Sequence, residues 1–229
     1  MRIAVLLAAS LLVAGCSGST GGQAKQTQLT PITPTRTGTS ASAPRSAPSS
    51  TSSAPAPAGG LPIAEAITWI EAGPPIDAAQ YHIALRGSVT TDLGDDIAFT
   101  TPDGTSCMTD AKHGSPGLAC LVEFTNPPPR PQDVYGQWKG GWVDFDGGSV
   151  QVGSAHGDPG RFASGQGRAL PTDTSLSFAD YRCRTDANAL VCVNYAKQSA
   201  VRLSADGADA YACAQQVTPP PGIGARYVC

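Results

Sequence analysis

Six cysteines constrain this chain more than anything else in it. Cys107 and Cys120, Cys183 and Cys192, and Cys213 and Cys229 fall in three close-set pairs from residue 107 to the end of 229 residues. In an exported chain such a set reads as a disulfide framework. Fifteen pairings are open on paper. The spacing favours neighbours, because each neighbour bond closes a short loop and contributes about 2–4 kcal/mol. The rival reading is a metal set. No pair has Cys-x-x-Cys spacing, and the only histidine near a pair is His113, so no metal site is expected.

Export is written at the N-terminus. Arg2 gives a positive start, and residues 3–14 are apolar apart from Ser10. A spanning helix needs roughly 20 apolar residues, so this run is a signal segment, and no later stretch is long enough to cross a bilayer. Val13-Ala14-Gly15-Cys16 closes it with small residues and a cysteine, the pattern of a lipoprotein cleavage box. The small residues admit the peptidase and the thiol takes the diacylglycerol. Residues 1–15 are thus expected to be removed. The seventh cysteine, Cys16, becomes the lipid anchor on the extracytoplasmic face of the cell membrane. One acyl chain, at about 0.8 kcal/mol per buried CH2, anchors only marginally; a diacylated cysteine meets the need for two.

Residues 16–60 form the lipidated cysteine and a tether almost only of Ser, Thr, Pro, Ala, Gly, Gln and a few bases, with no acid and no aromatic residue. Such a chain buries too little apolar surface to offset its ordering entropy, so disorder is expected. As a flexible coil its ends would lie on the order of 35–40 Å apart, which lifts the following domain off the membrane. Thr30-Pro31, Thr33-Pro34 and Ser53-Ala54-Pro55 also suit O-glycosylation. All eighteen acids follow residue 60, against eleven of the fifteen bases. A domain with a balance of −7 argues against nucleic acid or anionic headgroups as partners.

Residues 61–229 are long enough for one core. Ile63, Ile67 and Ile70 recur at helical spacing, and Gly73-Pro74-Pro75 ends that helix. The remainder reads as strand and turn: residues 97–101, 118–124, 142–146, 149–152, 176–182, 189–195 and 200–203. Gly147-Gly148 between two strand runs marks a hairpin. A weak internal repeat organises the pattern. Ile97-Ala98-Phe99 leads to Cys107, a polar turn and Leu118-Ala119-Cys120. Leu176-Ser177-Phe178 leads to Cys183, a polar turn and Leu190-Val191-Cys192. The expected fold is mainly β: two disulfide-stapled pseudo-repeat units in a sandwich or small barrel, with one N-terminal helix packed on it.

Catalytic motifs are missing. There is no Gly-x-Ser-x-Gly, Ser-x-x-Lys, His-Glu-x-x-His, phosphate loop or dinucleotide fingerprint, and no cofactor is expected. Asp144 and Asp146 share a strand face and read as solvated acids. Asp92, Asp95 and Asp96 lie with Gly94 in a polar turn without full calcium-loop spacing. His156-Gly157-Asp158-Pro159-Gly160 could set His156 as a base oriented by Asp158, although the string also makes a plain turn. Tyr135, Trp138 and Trp142 cluster around glycines. Exposed, they would stack on a sugar or an apolar wall component; buried, they are core. Residues 127–131, Pro-Pro-Pro-Arg-Pro, form a stiff connector before them.

Several of these strings taken together resemble mycobacterial lipoproteins of the LppI type. They are the cleavage box, Trp69-Ile70-Glu71-Ala72-Gly73, Trp138-Lys139-Gly140-Gly141-Trp142-Val143-Asp144-Phe145, His156-Gly157-Asp158-Pro159-Gly160, Asp180-Tyr181-Arg182-Cys183-Arg184 and Cys192-Val193-Asn194-Tyr195. The resemblance implies a cell-envelope lipoprotein and supplies no catalytic residue or ligand. The expectation is a membrane-anchored, non-catalytic binding or accessory module for an envelope lipid, glycan or protein. The alternatives are a sensor or accessory subunit of a membrane complex, or an envelope hydrolase built on His156.

Overall fold

The structure, a computed structural model, describes residues 54–228 apart from 114, 133, 156–159 and 212–214. The signal segment, Cys16, most of the expected tether, His156, Asp158, Cys213 and Cys229 lie outside the described residues.

In chain order the elements are α1 (Ile63–Glu71), β1 (Ile83–Arg86), β2 (Val89–Asp92), β3 (Ala98–Thr100), β4 (Ser106–Asp110), β5 (Ser115–Leu121), β6 (Lys139–Phe145) and β7 (Ser149–Ser154). There follow β8 (Arg168–Ala169), β9 (Ser175–Phe178), β10 (Tyr181–Thr185), β11 (Ala189–Asn194), β12 (Ser199–Ser204), β13 (Gly207–Tyr211), β14 (Gln215–Val217) and β15 (Ile223–Val228). They make a β1–β2 ribbon, a five-stranded sheet ordered β13-β12-β11-β10-β9 and an eight-stranded sheet ordered β14-β15-β7-β6-β5-β4-β3-β8. Of the two expected outcomes the sandwich is the one formed; the sheets are open and do not close into a barrel.

The repeat is the plan of the molecule. Strands β3 to β7 and strands β9 to β13 are each a run of five consecutive antiparallel neighbours. In the first run Phe99, Cys107, Cys120, Val143 and Val152 lie directly opposite one another across the strands. In the second, Leu176, Cys183, Cys192, Val201 and Ala210 do the same. Cys107–Cys120 and Cys183–Cys192 are both bonded, with Cα atoms 4.1 Å apart. The sequence reads residues 176–182 as one strand. Ala179, at φ +43°, instead turns the chain between β9 and β10, so Phe178 pairs with Tyr181.

Both rows face inward. Because side chains alternate along a strand, one register places every second residue of both sheets in a shared interior. Nineteen buried side chains fill it, including Phe99, Leu118, Phe145, Leu176, Leu190, Leu203 and all four bonded cysteines. Tyr181 donates its hydroxyl across the gap to the Phe145 carbonyl at 3.1 Å, and its ring meets the Phe145 ring edge-on at 5.7 Å.

The alternate residues of β11 and β12 point the other way and receive the helix. Val191, Val193, Ala200 and Tyr211 pack with Ala66, Trp69 and Ile70 of α1. Two arginines on that face of β10 hold the helix by its carbonyl end. Arg184 donates to the Trp69 carbonyl, and Arg182 to the Gly73 carbonyl at 3.2 Å. A cation suits this end because the last carbonyls have no helical partners and carry the negative pole of the helix. The sequence reading runs the tether to residue 60, but residues 54–60 already lie on the domain. Trp69 donates its indole N–H to the Ala54 carbonyl at 2.8 Å, and Ala56 packs against the α1 cluster.

Candidate functional site

Among the described residues, several of those singled out from sequence, Trp138, Trp142 and Asp144 among them, lie on the outer face of the eight-stranded sheet, and this face divides into two parts. On one part, glycines replace side chains. A Cβ at Gly153 would fall 2.7 Å from the Trp138 ring, and one at Gly224 would fall 2.8 Å from Pro128. This flat patch takes Trp138, whose indole N–H donates to the Pro128 carbonyl at 3.2 Å. The stiff 127–131 connector is pinned there, and the loop it begins carries Tyr135, 95% exposed. The result is a ledge of Pro128 and half-buried Trp138, and Tyr135 is exposed on the loop that runs between them.

Trp142 is not part of that ledge. It is 1% exposed, so of the two readings open for it, ligand contact or core, the core one describes it: it is a packing residue. Its ring meets Phe162 edge-on at 5.3 Å, and its indole N–H donates to Asp144 at 2.9 Å. Asp144 also faces Arg161 at 3.6 Å, and Arg161 donates to the Gly117 carbonyl at 3.0 Å. These contacts clamp the short helical turn Gly160–Ser164 onto the sheet. Asp146 is likewise engaged: its carboxylate accepts from the Gly148 and Ser149 N–H groups at 2.8 and 2.6 Å and closes the hairpin turn.

The second part is a cleft of about 200 Å³ between β2, β4 and the Gly160–Ser164 turn. Met108 forms part of its lining, and Asp92, Asp96, Asp110, Lys112, His113 and Arg161 supply its polar groups. Most of those groups already have structural partners. Asp96 is buried and accepts from Thr109 Oγ1 at 2.9 Å and from the Ala111 and Lys112 N–H groups at 2.8 and 3.5 Å. Asp92 accepts from the Gly94 N–H at 2.8 Å, closing the turn. His113 Nδ1 lies 2.5 Å from Asp110. The His82 ring donates to the Asp96 carbonyl at 3.0 Å. The acid-rich 92–96 turn is therefore held by the Gly94 N–H within it and by donors from residues 109, 111 and 112. Among the described residues no group of three or more His, Cys, Asp and Glu is placed to hold a metal.

Burial raises four tyrosines above their ordinary titration range. Tyr211 is pushed up to about 12, chiefly by burial, with nearby Arg202 opposing and Asp209 adding to the effect. Tyr81, Tyr181 and Tyr195 are raised, each first by burial. These shifts keep phenols neutral as hydrogen-bond donors and give no acid–base pair at working pH.

The structure thus separates what the sequence grouped. Tyr135 and Trp138 share a surface ledge, Trp142 is buried in a clamp, and Cys107, Cys120, Cys183 and Cys192 staple two rows. Sequence reasoning missed Asp186 and Tyr211, which meet the incoming chain. Isolated polar residues at turn and strand ends give no periodic signal. No family model, curated protein or solved structure matches this chain.

Proposed function

We propose that this chain is a non-catalytic binding or accessory module, held outside a membrane by lipid on Cys16, that engages an envelope partner through its surface. The observation that carries the reading is the exposed loop: Tyr135 is 95% exposed on a segment whose two ends, Pro128 and Trp138, are bonded to each other. A rigid apolar platform with a free aromatic edge is the make-up of a contact surface. The filled interior narrows the reading. A protein that carried a lipid between its sheets would need a hollow there, and nineteen buried side chains occupy that space.

The test uses intact cells that produce the full chain. A photoreactive phenylalanine analogue at Tyr135 is expected to give one reproducible adduct, lost on adding unlabelled parent protein. Labelling no stronger than at exposed Val89, a control position on the β1–β2 ribbon, would sink the surface reading. Cys16→Ala is expected to release the protein into the medium; retention on the membrane would refute the anchor.

A further inference from the structure

The domain holds its own tether in a groove. Three groups from separate elements reach residues 54–57. Trp69 of α1 donates its indole N–H to the Ala54 carbonyl at 2.8 Å. Asp186, in the β10–β11 turn, accepts from the Ala56 N–H at 2.7 Å. Tyr211, at the end of β13, donates its hydroxyl to the Pro57 carbonyl at 2.6 Å.

All three bonds go to main-chain atoms, so the groove reads a backbone path and not particular side chains. Pro55 and Pro57 fix φ and preset the chain in an extended form, which lowers the entropy lost on docking. Aromatic walls bearing hydrogen-bond donors are how extended proline-containing segments are recognised in general. The tether offers that segment more than once. Ser-Ala-Pro occurs at residues 42–44, 46–48 and 53–55. In each copy the residue after the proline, Arg45, Ser49 or Ala56, has an N–H to give. The next residue, Ser46, Ser50 or Pro57, has a carbonyl at the matching place.

We propose that this groove is a binding site for extended proline-containing polypeptide. Residues 54–57 are its resident, and the upstream Ser-Ala-Pro copies of the same tether are its alternate occupants. The resident has one advantage. A Cβ at Gly59 would fall 2.2 Å from Asp209 Cβ, so only the resident register lets the chain follow the domain past the third contact. An upstream copy must leave the groove after its third bond. Exchange takes up seven or eleven residues of tether, at about 3.1 Å each when extended. The site is then a length adjuster, on the opposite side of the sandwich from Tyr135 and independent of what that residue contacts.

The test reads hydrogen exchange at the Trp69 indole N–H by NMR, in the full mature chain made soluble by Cys16→Ser with its disulfides intact. Ala56→Pro removes the resident's N–H. Exchange is expected to stay within about threefold of the parent, because an upstream copy takes over. Adding Arg45→Pro and Ser49→Pro removes the donors of both alternates, and exchange is expected to rise at least tenfold. A synthetic peptide of residues 42–51 should then restore protection in that triple variant, and fail to do so when Asp186→Ala is added, which removes the acceptor. Full loss of protection in Ala56→Pro alone, continued protection in the triple variant, or no effect of the peptide would each overturn the proposal.

Discussion

The guanidinium carbon of Arg184 lies 4.3 Å from the centre of the Trp69 ring. Arg184 is 4% exposed, gives one N–H to the Trp69 carbonyl and faces Asp173 at 3.3 Å. A single side chain thus stacks on the helix, caps its carbonyl end and satisfies a carboxylate. Arg184→Met is expected to cost about 3 kcal/mol or more, since it strips a buried site of its charge and hydrogen bonds. Arg184→Lys should cost less but still destabilise, because an ammonium lacks the planar fork. Urea unfolding, with Trp69 fluorescence following the helix, reads both.

The two described disulfides are buried with the core, so a reductant has no path to them in the folded state. Native protein treated with dithiothreitol and alkylated should keep both bonds; the same treatment in urea should open them. Replacing either pair with alanines is expected to cost about 2–3 kcal/mol, given loops of 13 and 9 residues. The sequence also expects Cys213–Cys229, so an intact mass six hydrogens below the fully reduced form is the outcome for the mature chain.

Alkali should loosen the strap. Tyr211 has its folded titration raised from 10.0 to about 12, so the folded state keeps a proton that the unfolded chain loses first. The stability from that phenol is therefore whole below pH 10 and is lost as pH rises through about 12. Tyr211→Phe is expected to flatten the stability profile across that window and to speed exchange at the Pro57 end already at neutral pH. Thermal melts from pH 9 to 12 check the sign.

Gly153→Ala is expected to unseat Trp138. Gly153 sits at φ +75°, and its Cβ would fall 2.7 Å from the ring. The left-handed backbone alone costs an alanine about 1–2 kcal/mol. The emission of Trp138 should shift to the red, and photo-crosslinking from position 135 should fall with it. A ring that stays put, with unchanged crosslinking, would show that the ledge does not depend on this glycine.

The strands that were legible are those whose alternation is driven by the shared interior. Leu118-Ala119-Cys120 and Leu190-Val191-Cys192 stand out because each is buried on both sides, and the cysteine spacing fixes their registers. The helix was legible from Ile63, Ile67 and Ile70, which its packing uses. β1, β2, β13, β14 and β15 were not: the ribbon and edge strands, such as Gly207–Tyr211, carry no apolar row, and β15, though paired on both sides, is half-buried throughout. The surface site was legible only in part. Trp138 and Trp142 have the same composition around them, and which one stays at the surface is decided by partners distant in sequence, Gly224 for one and Phe162 for the other. Asp92 and Asp96 resemble ligands in sequence because a carboxylate that folds a turn and one that binds an ion look the same until the N–H groups are placed.

Each described staple joins neighbours within one sheet, and neither crosses the sandwich. Among the described residues the two sheets are therefore two separately stitched pages, pressed together by dry contact and a few bonds such as Tyr181 to Phe145. Pulling the pages apart would break neither of the two described sulfur bonds, and each page would keep its strand order while its inner face wetted. Within the described residues, a book bound this way can open and close without losing its place.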